Sequence, residues 1–338
     1  MGPRLAATLL TVLLQVAAQD PPAIAPVPPL PLPPFDVWLS ELRAEAETRG
    51  IRPEILEQAL TGVQPVAQIL ERDRTQAEFT LNLDGYFKRR LTPATIRTAK
   101  QMYAKHQALA QNIGRAYDVD PRVVIAVWGL ESNFGRFAGV RPTVPTLATL
   151  AYDLRRGAMF RNELFSALEI LNRGDIELAR LKGSWAGALG QPQFMPSSYL
   201  RFAQDFDGDG RRDIWTSQAD VFASVAYYLQ QHGWQSGKTW GREVIIPPGA
   251  RRDVDALPKR DTGCRARREM TITQPLSAWH KLGLTTKAKT PLPRADMDAS
   301  LIRDDSRAFL VYGNYEALLD YNCAHTYALS VGLLSDLM

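Results

Sequence analysis

One carboxyl in this sequence is placed where burial would change its chemistry. The stretch Ala126-Val127-Trp128-Gly129-Leu130-Glu131-Ser132-Asn133-Phe134-Gly135 puts Glu131 at the end of a strongly apolar helical run, VVIAVWGL, just before a Ser-Asn pair and a glycine. A carboxyl held against apolar and aromatic neighbours loses hydration, which penalises its charged form and raises its pKa. Such a group can protonate a leaving group near neutral pH. The plainer alternative for this stretch alone is a surface glutamate at a helix end. A second segment runs from Lys182 to Tyr199, KGSWAGALGQPQFMPSSY. Its small residues let a backbone approach a ligand, while Ser184, Gln193 and Ser198 offer neutral hydrogen-bonding groups. Trp185, Phe194 and Tyr199 add flat apolar faces, and that mixture suits a sugar. The alternative is a glycine-rich turn leading into a capped helix. A Tyr321-Asn322 pair with Tyr327 six residues on says little by itself.

A fourth signal is Asp205-Phe206-Asp207-Gly208-Asp209-Gly210-Arg211-Arg212-Asp213. Asp205, Asp207, Asp209 and Asp213 fall at positions 1, 3, 5 and 9 of an EF-hand loop with Gly210 at position 6, and Arg211 at position 7 would give only its carbonyl. Thr216 stands at position 12, where a bidentate Glu is usual. A metal-free Asp-Gly turn is the competing reading.

Together these segments resemble the B-type lytic murein transglycosylases (the glycoside hydrolase family 103 type), a family with a lysozyme-like catalytic core. The resemblance rests on E-S-N-F-G, on G-S-x-A-G-A-x-G-x-x-Q-F-M-P-S-S-Y, on D-F-D-G-D-G and on the closing Y-N-x-x-x-x-Y, and it spans residues 36 to 338. It implies that Glu131 is the acid and base, and that Ser184, Gln193, Phe194, Met195, Ser198, Tyr228, Tyr321, Asn322 and Tyr327 line a glycan groove. It implies cleavage between N-acetylmuramic acid and N-acetylglucosamine of peptidoglycan, leaving a 1,6-anhydro end. It also implies a structural calcium ion on the acidic loop, completed by Asp220, and no organic cofactor. Hydrolases usually need two carboxylates around the bond. No second acidic residue accompanies Glu131 in its motif or the glycine-rich one, while Asp153, Glu163 and Glu169 lie on amphipathic stretches and read as solvated. A hydrolytic muramidase and a catalytically silent wall-binding protein are the alternatives.

The elements that must hold these residues are mostly helical. Apolar spacing predicts helices from residue 36, over 51–60, from Thr92-Pro93 through residue 117, from Asp120-Pro121 through Glu131, over 160–172, over 217–231 and over 315–337. REVIIP, EMTITQ and RAFLVY read as short strands. The class is therefore α+β, predominantly α-helical, with a helical N-terminal lobe (36–118), a core (119–242) that the resemblance implies is lysozyme-like and that carries the EF-hand-like loop (205–220), a small β region (243–312), and a closing helix (313–338).

The ends and the composition set the compartment. Arg4, the apolar run Leu5 to Val16 and the small residues Ala17-Ala18 read as a signal peptide over 1–18. The run is too short for a membrane span, which needs about 20 apolar residues, so the expectation is a soluble periplasmic protein without a transmembrane anchor. The proline-dense 19–35 segment reads as a tether. Forty Lys and Arg against thirty-six Asp and Glu give a formal charge of +4. That weak basicity suits an anionic wall polymer, and the scattered basic residues lack the clustering nucleic acid asks for. The expected partners are glycan strands and other cell-wall enzymes. Two cysteines, Cys264 and Cys323, in an exported chain point to one disulfide, with two free thiols as the alternative.

Overall fold

The structure is a computed structural model that describes residues 32–74 and 82–338. The expected signal peptide and residues 19–31 of the proline-rich tether fall outside the described residues. The chain is predominantly helical, with a two-stranded pair, β1 (Arg141–Pro142) and β2 (Lys182–Gly183), and one larger sheet. This sheet comprises β3 (Gly241–Ile245), β4 (Gln274–Pro275), β5 (Thr285–Thr286), β6 (Asp298–Arg303) and β7 (Ala308–Val311). Its order is β4-β6-β7-β3-β5, and every pairing is antiparallel.

The helix Pro121–Ser132 is the hub. Asp120 caps its start, accepting from the Arg122 amide at 2.9 Å, and Pro121 occupies the first turn where no donor is lost. Every residue from Val123 to Leu130 is buried, so the helix is apolar all round and lies inside the molecule. The helices His325–Asp336, Gln218–Gln231, Gln107–Tyr117 and Pro93–Lys105 pack around it. Its C-terminus is sharply bent: Asn133, Phe134 and Gly135 all have positive φ, of 52°, 57° and 79°. Two non-glycine residues in that region cost on the order of 1–2 kcal/mol each, offset by Ser132. Its hydroxyl donates to the Trp128 carbonyl at 2.7 Å and accepts from the Gly135 amide at 2.9 Å. The bend folds the Phe134 ring back over Gly129, where a Cβ would lie 2.3 Å from it. Glycine is required there by that close approach.

The sheet is buried on both faces. Ile302, Phe309 and Val311 join the main core, whereas Leu301, Leu310 and Val244 pack with Trp279, Leu276 and Leu284 in a second cluster. Three expectations need correction. The 92–117 run is two helices, Pro93–Lys105 and Gln107–Tyr117, broken at His106, whose ring packs edge-on against Trp128 and Phe222. EMTITQ is a strand only at its last residue. Upstream, Thr271 makes an isolated bridge to Lys259, and its hydroxyl accepts from the Leu301 amide at 2.9 Å, so a side chain replaces a ladder carbonyl. The closing helix is two, Gly313–Tyr321 and His325–Asp336, separated by Asn322-Cys323-Ala324.

Cys264 and Cys323 are joined by a disulfide with a sequence separation of 59. It ties the short helix Arg265–Glu269 to the break between the two closing helices. Arg267 reinforces the junction by pairing with Glu316 at 2.8 Å and Asp320 at 2.8 Å. The chain-entropy relation gives about 4 kcal/mol for a loop of this length. Cys323→Ser is therefore expected to lower Tm by several degrees, and alkylation of the denatured wild-type chain without reductant should label no thiol. Two labelled thiols would show that the bridge does not form.

Candidate active site

Glu131 occupies the last full turn of the hub helix and is half-buried, on the helix that packs against the closing helix His325–Asp336. Burial pushes its pKa up to about 7, against the opposing pull of the Tyr327 hydroxyl and the Arg90 guanidinium. Among the described residues, no carboxylate is among the groups that shift its pKa. The Tyr327 hydroxyl is buried and makes no well-formed hydrogen bond among the described residues, so its interaction with Glu131 is a loose one. Tyr321 and Tyr327 lie nearly parallel, centroids 6.2 Å apart. Burial, together with the negative charge of Glu131, raises both phenols well above their ordinary value, so both remain protonated donors.

The break at Asn322-Cys323-Ala324 is what brings those two tyrosines side by side. Tyr321 donates to the Pro192 carbonyl at 2.7 Å, joining the closing helices to the glycine-rich segment. Tyr228 donates to the Asp320 carbonyl at 2.7 Å and lies 4.8 Å from Tyr321. Phe194 is buried against both rings. Thus Glu131, Phe194, Tyr228, Tyr321 and Tyr327 form one cluster. Asn322 is exposed at its edge, and Met195 and Ser198 are partly buried on and just before the helix Pro196–Phe202.

The glycine-rich segment is a chain of tight turns. Ser184 accepts from the Ala186 and Ala188 amides at 3.3 and 3.1 Å. With its lone pairs so engaged, the hydroxyl proton is left to donate outward. Gln193 has a φ of +55°, and its amide nitrogen donates to the Gly190 carbonyl at 2.8 Å, which leaves its side-chain oxygen as an acceptor. Gln191, which sequence reasoning passed over, is buried and holds the assembly together. It accepts from the Trp128 indole at 2.6 Å and from Gln218 at 3.1 Å, and donates to the Trp215 carbonyl at 2.7 Å. One side chain therefore connects the hub helix to the acidic loop.

In that loop, Asp205, Asp207 and Asp209 bring carboxylate oxygens within 4.8 Å of one another, all exposed. Arg211 follows them with its amide bonded to Asp209 at 2.8 Å. Asp213 turns away to cap the next turn, accepting from the Trp215 and Thr216 amides at 2.9 Å. Asp220 does not join the carboxylate cluster. It is fully buried, and its two oxygens accept from the Phe206 and Asp213 amides at 2.8 Å each, bracing the loop from behind. Glu163 is not simply solvated either: it accepts from the Ser197 amide and hydroxyl at 2.9 and 2.7 Å, at the start of the helix Pro196–Phe202.

A cavity of about 770 Å³ opens on the other side of the Cys323–Thr326 turn, lined among others by Tyr86, Arg155, Arg156, Arg265, Glu269 and Asp304. These residues, like Arg90 and Gln191, lie in no spacing pattern that singles them out. Only the fold brings them near the cluster.

Four likenesses bear on the site. The family described as Transglycosylase SLT domain matches residues 34–336. Membrane-bound lytic murein transglycosylase B of Escherichia coli is 35% identical over 153 residues, 45% of this chain and 42% of that relative, so the match spans less than half of the curated relative's length. SltB3 of Pseudomonas aeruginosa, solved in complex with NAG-anhNAM-pentapeptide, is 39% identical with a TM-score of 0.81, covering 89% of this chain and 78% of that one. Slt35 of Escherichia coli, solved in complex with calcium, is 26% identical with a TM-score of 0.74, covering 90% and 92%. The α+β lysozyme-like architecture expected from the sequence is the one these structures share. The chain belongs to the SLT transglycosylase domain family.

Proposed function

We propose that the protein is a lytic transglycosylase that cleaves the β-1,4 bond between N-acetylmuramic acid and N-acetylglucosamine in peptidoglycan, with Glu131 acting as acid and then as base. The observation that carries this reading is a buried carboxyl raised to a pKa of about 7, with a tyrosine and an arginine, and among the described residues no carboxylate, shifting it. Near neutral pH a large fraction of Glu131 is protonated and can donate to the bridging oxygen as the C1–O4 bond breaks. The resulting carboxylate then takes the proton of the muramic C6 hydroxyl as that oxygen bonds to C1. Glu131 ends as it began, no water is consumed, and the attacking group is already tethered, which lowers the entropic cost of attack. A muramidase would need a carboxylate to activate water, and the residues acting on Glu131 are instead tyrosines and an arginine. Ser184, with a free proton, and Gln193, with a free acceptor, suit the neutral amide and hydroxyl groups of a sugar. The mixed-sign cavity beside Cys323–Thr326 suits a stem peptide, which carries both charges.

The acidic loop fits a calcium ion on Asp205, Asp207 and Asp209, three hard oxygen donors within 4.8 Å of one another. Bound there, calcium would neutralise their mutual repulsion. Asp220, through Phe206 and Asp213, and Gln191, through Trp215, would carry that order toward the hub helix. The signal-peptide-like N-terminal segment supports a periplasmic location, where other cell-wall enzymes are candidate partners.

Glu131→Gln is expected to fold but lose on the order of 10²–10⁴-fold in rate, the usual contribution of general acid–base catalysis. Muropeptides released by the wild type should each be one water lighter than the muramidase product and resist borohydride. Activity should fall as pH rises through about 7, where the acid deprotonates. Products that gain water and reduce normally would establish a hydrolase instead. Calcium should raise Tm relative to chelator, by about 2.7 kcal/mol in stability at a concentration 100 times Kd, and Asp205→Ala with Asp209→Ala should remove the gain. Superimposable melting curves would exclude a bound ion.

A further inference from the structure

The carbonyls in the last turn of a helix lack intrahelical partners, and the helix dipole concentrates negative potential there. Leu130, immediately before Glu131, has its carbonyl in that turn, and it accepts from the Nη2 of Arg90. This arginine ends a different element, the helix Leu83–Arg90. That helix is itself fixed to the sheet region: the Leu83 amide donates to Asp304 at 2.5 Å, and Phe87 packs edge-on against Phe309 with the Arg307 guanidinium over both rings. The guanidinium is therefore delivered to the end of the hub helix from a braced support.

We infer that Arg90 is a positioning residue for the reaction. It holds the Leu130 carbonyl, and so the turn that presents Glu131, and its charge stabilises the carboxylate that Glu131 becomes between its two proton transfers. This rests on the proposed role of Glu131. Among the described residues, the groups facing that carboxyl are Tyr327 from the helix His325–Asp336, Tyr321 from Gly313–Tyr321 and Arg90 from Leu83–Arg90. The two phenols stay neutral, so Arg90 is the one charged group among them. An anion at a helix C-terminus, partly dehydrated, is unfavourable on both counts, and a cation bridging that terminus offsets both. Without it the acid step would leave a costlier carboxylate, and the base step would start from a misplaced one.

The test compares Arg90→Gln and Arg90→Lys with wild type by kcat, KM, Tm and the pH dependence of kcat/KM. Glutamine removes the charge, so the basic limb should move to higher pH and kcat should fall at least about tenfold, since small misplacements of a catalytic group cost up to 10². KM and Tm should change little. Lysine keeps the charge but not the planar fork, so the limb should stay at its wild-type position while kcat is only partly restored. An unmoved limb in Arg90→Gln, or a kcat loss that tracks a fall in Tm, overturns the assignment. If Arg90→Gln does not fold, full wild-type kcat in Arg90→Lys overturns the positioning role. Glu131→Gln run alongside separates the cases: an active Glu131→Gln refutes the acid–base reading itself, whereas an inactive one with an unmoved Arg90→Gln limb refutes Arg90 alone.

Discussion

A carboxyl that must both give and receive a proton near neutral pH has to be kept partly out of water without being sealed off. Placing Glu131 at the end of a helix buried on every side meets that requirement. The helix interior supplies the desolvation, and its exposed last turn supplies access. Burial alone would leave the anion too costly, and full exposure would leave the acid too strong. The opposing influences of burial, Arg90 and Tyr327 leave it near pKa 7, between those limits.

Much of the remaining structure can be understood as support for that turn. The positive-φ bend at Asn133-Phe134-Gly135 ends the helix abruptly, and Ser132 stabilises the bend. Gln191 ties Trp128 to Trp215 and Gln218. Arg267 anchors the first closing helix and the disulfide anchors the break that follows it, where Tyr321 lies beside Tyr327. The sheet, remote from the chemistry, is the abutment against which the helix Leu83–Arg90 is fixed.

The parts legible in the sequence are those written locally. An apolar run ending in one glutamate, a glycine-rich string with alternating polar and aromatic residues, and carboxylates at loop spacing all announce their own geometry. Asp120-Pro121 signalled the start of the hub helix for the same reason, being a cap and a first-turn proline in sequence. The strand β6 was missed because it is buried on both faces, so DASLIR shows no alternation, and EMTITQ misled because its alternation serves a side-chain bond from Thr271. The helix breaks at His106 and Asn322 carry no Gly or Pro signal. They are imposed by packing, of the His106 ring on Trp128 and of Cys323 on Cys264. Arg90, Gln191 and the buried role of Asp220 depend on contacts between segments distant in the chain, where no local spacing rule reaches.

The fold itself holds Glu131 near neutrality. Titration of protein labelled with ¹³C at the glutamate carboxyl, followed by NMR and assigned by the resonance missing from Glu131→Gln, measures this directly. The Glu131 carboxyl should show an inflection at about 7, protonated below that pH and ionised above it. An inflection for Glu131 at the ordinary value of 4.5 would contradict it, because the residue would then be ionised at neutral pH and unable to act first as an acid.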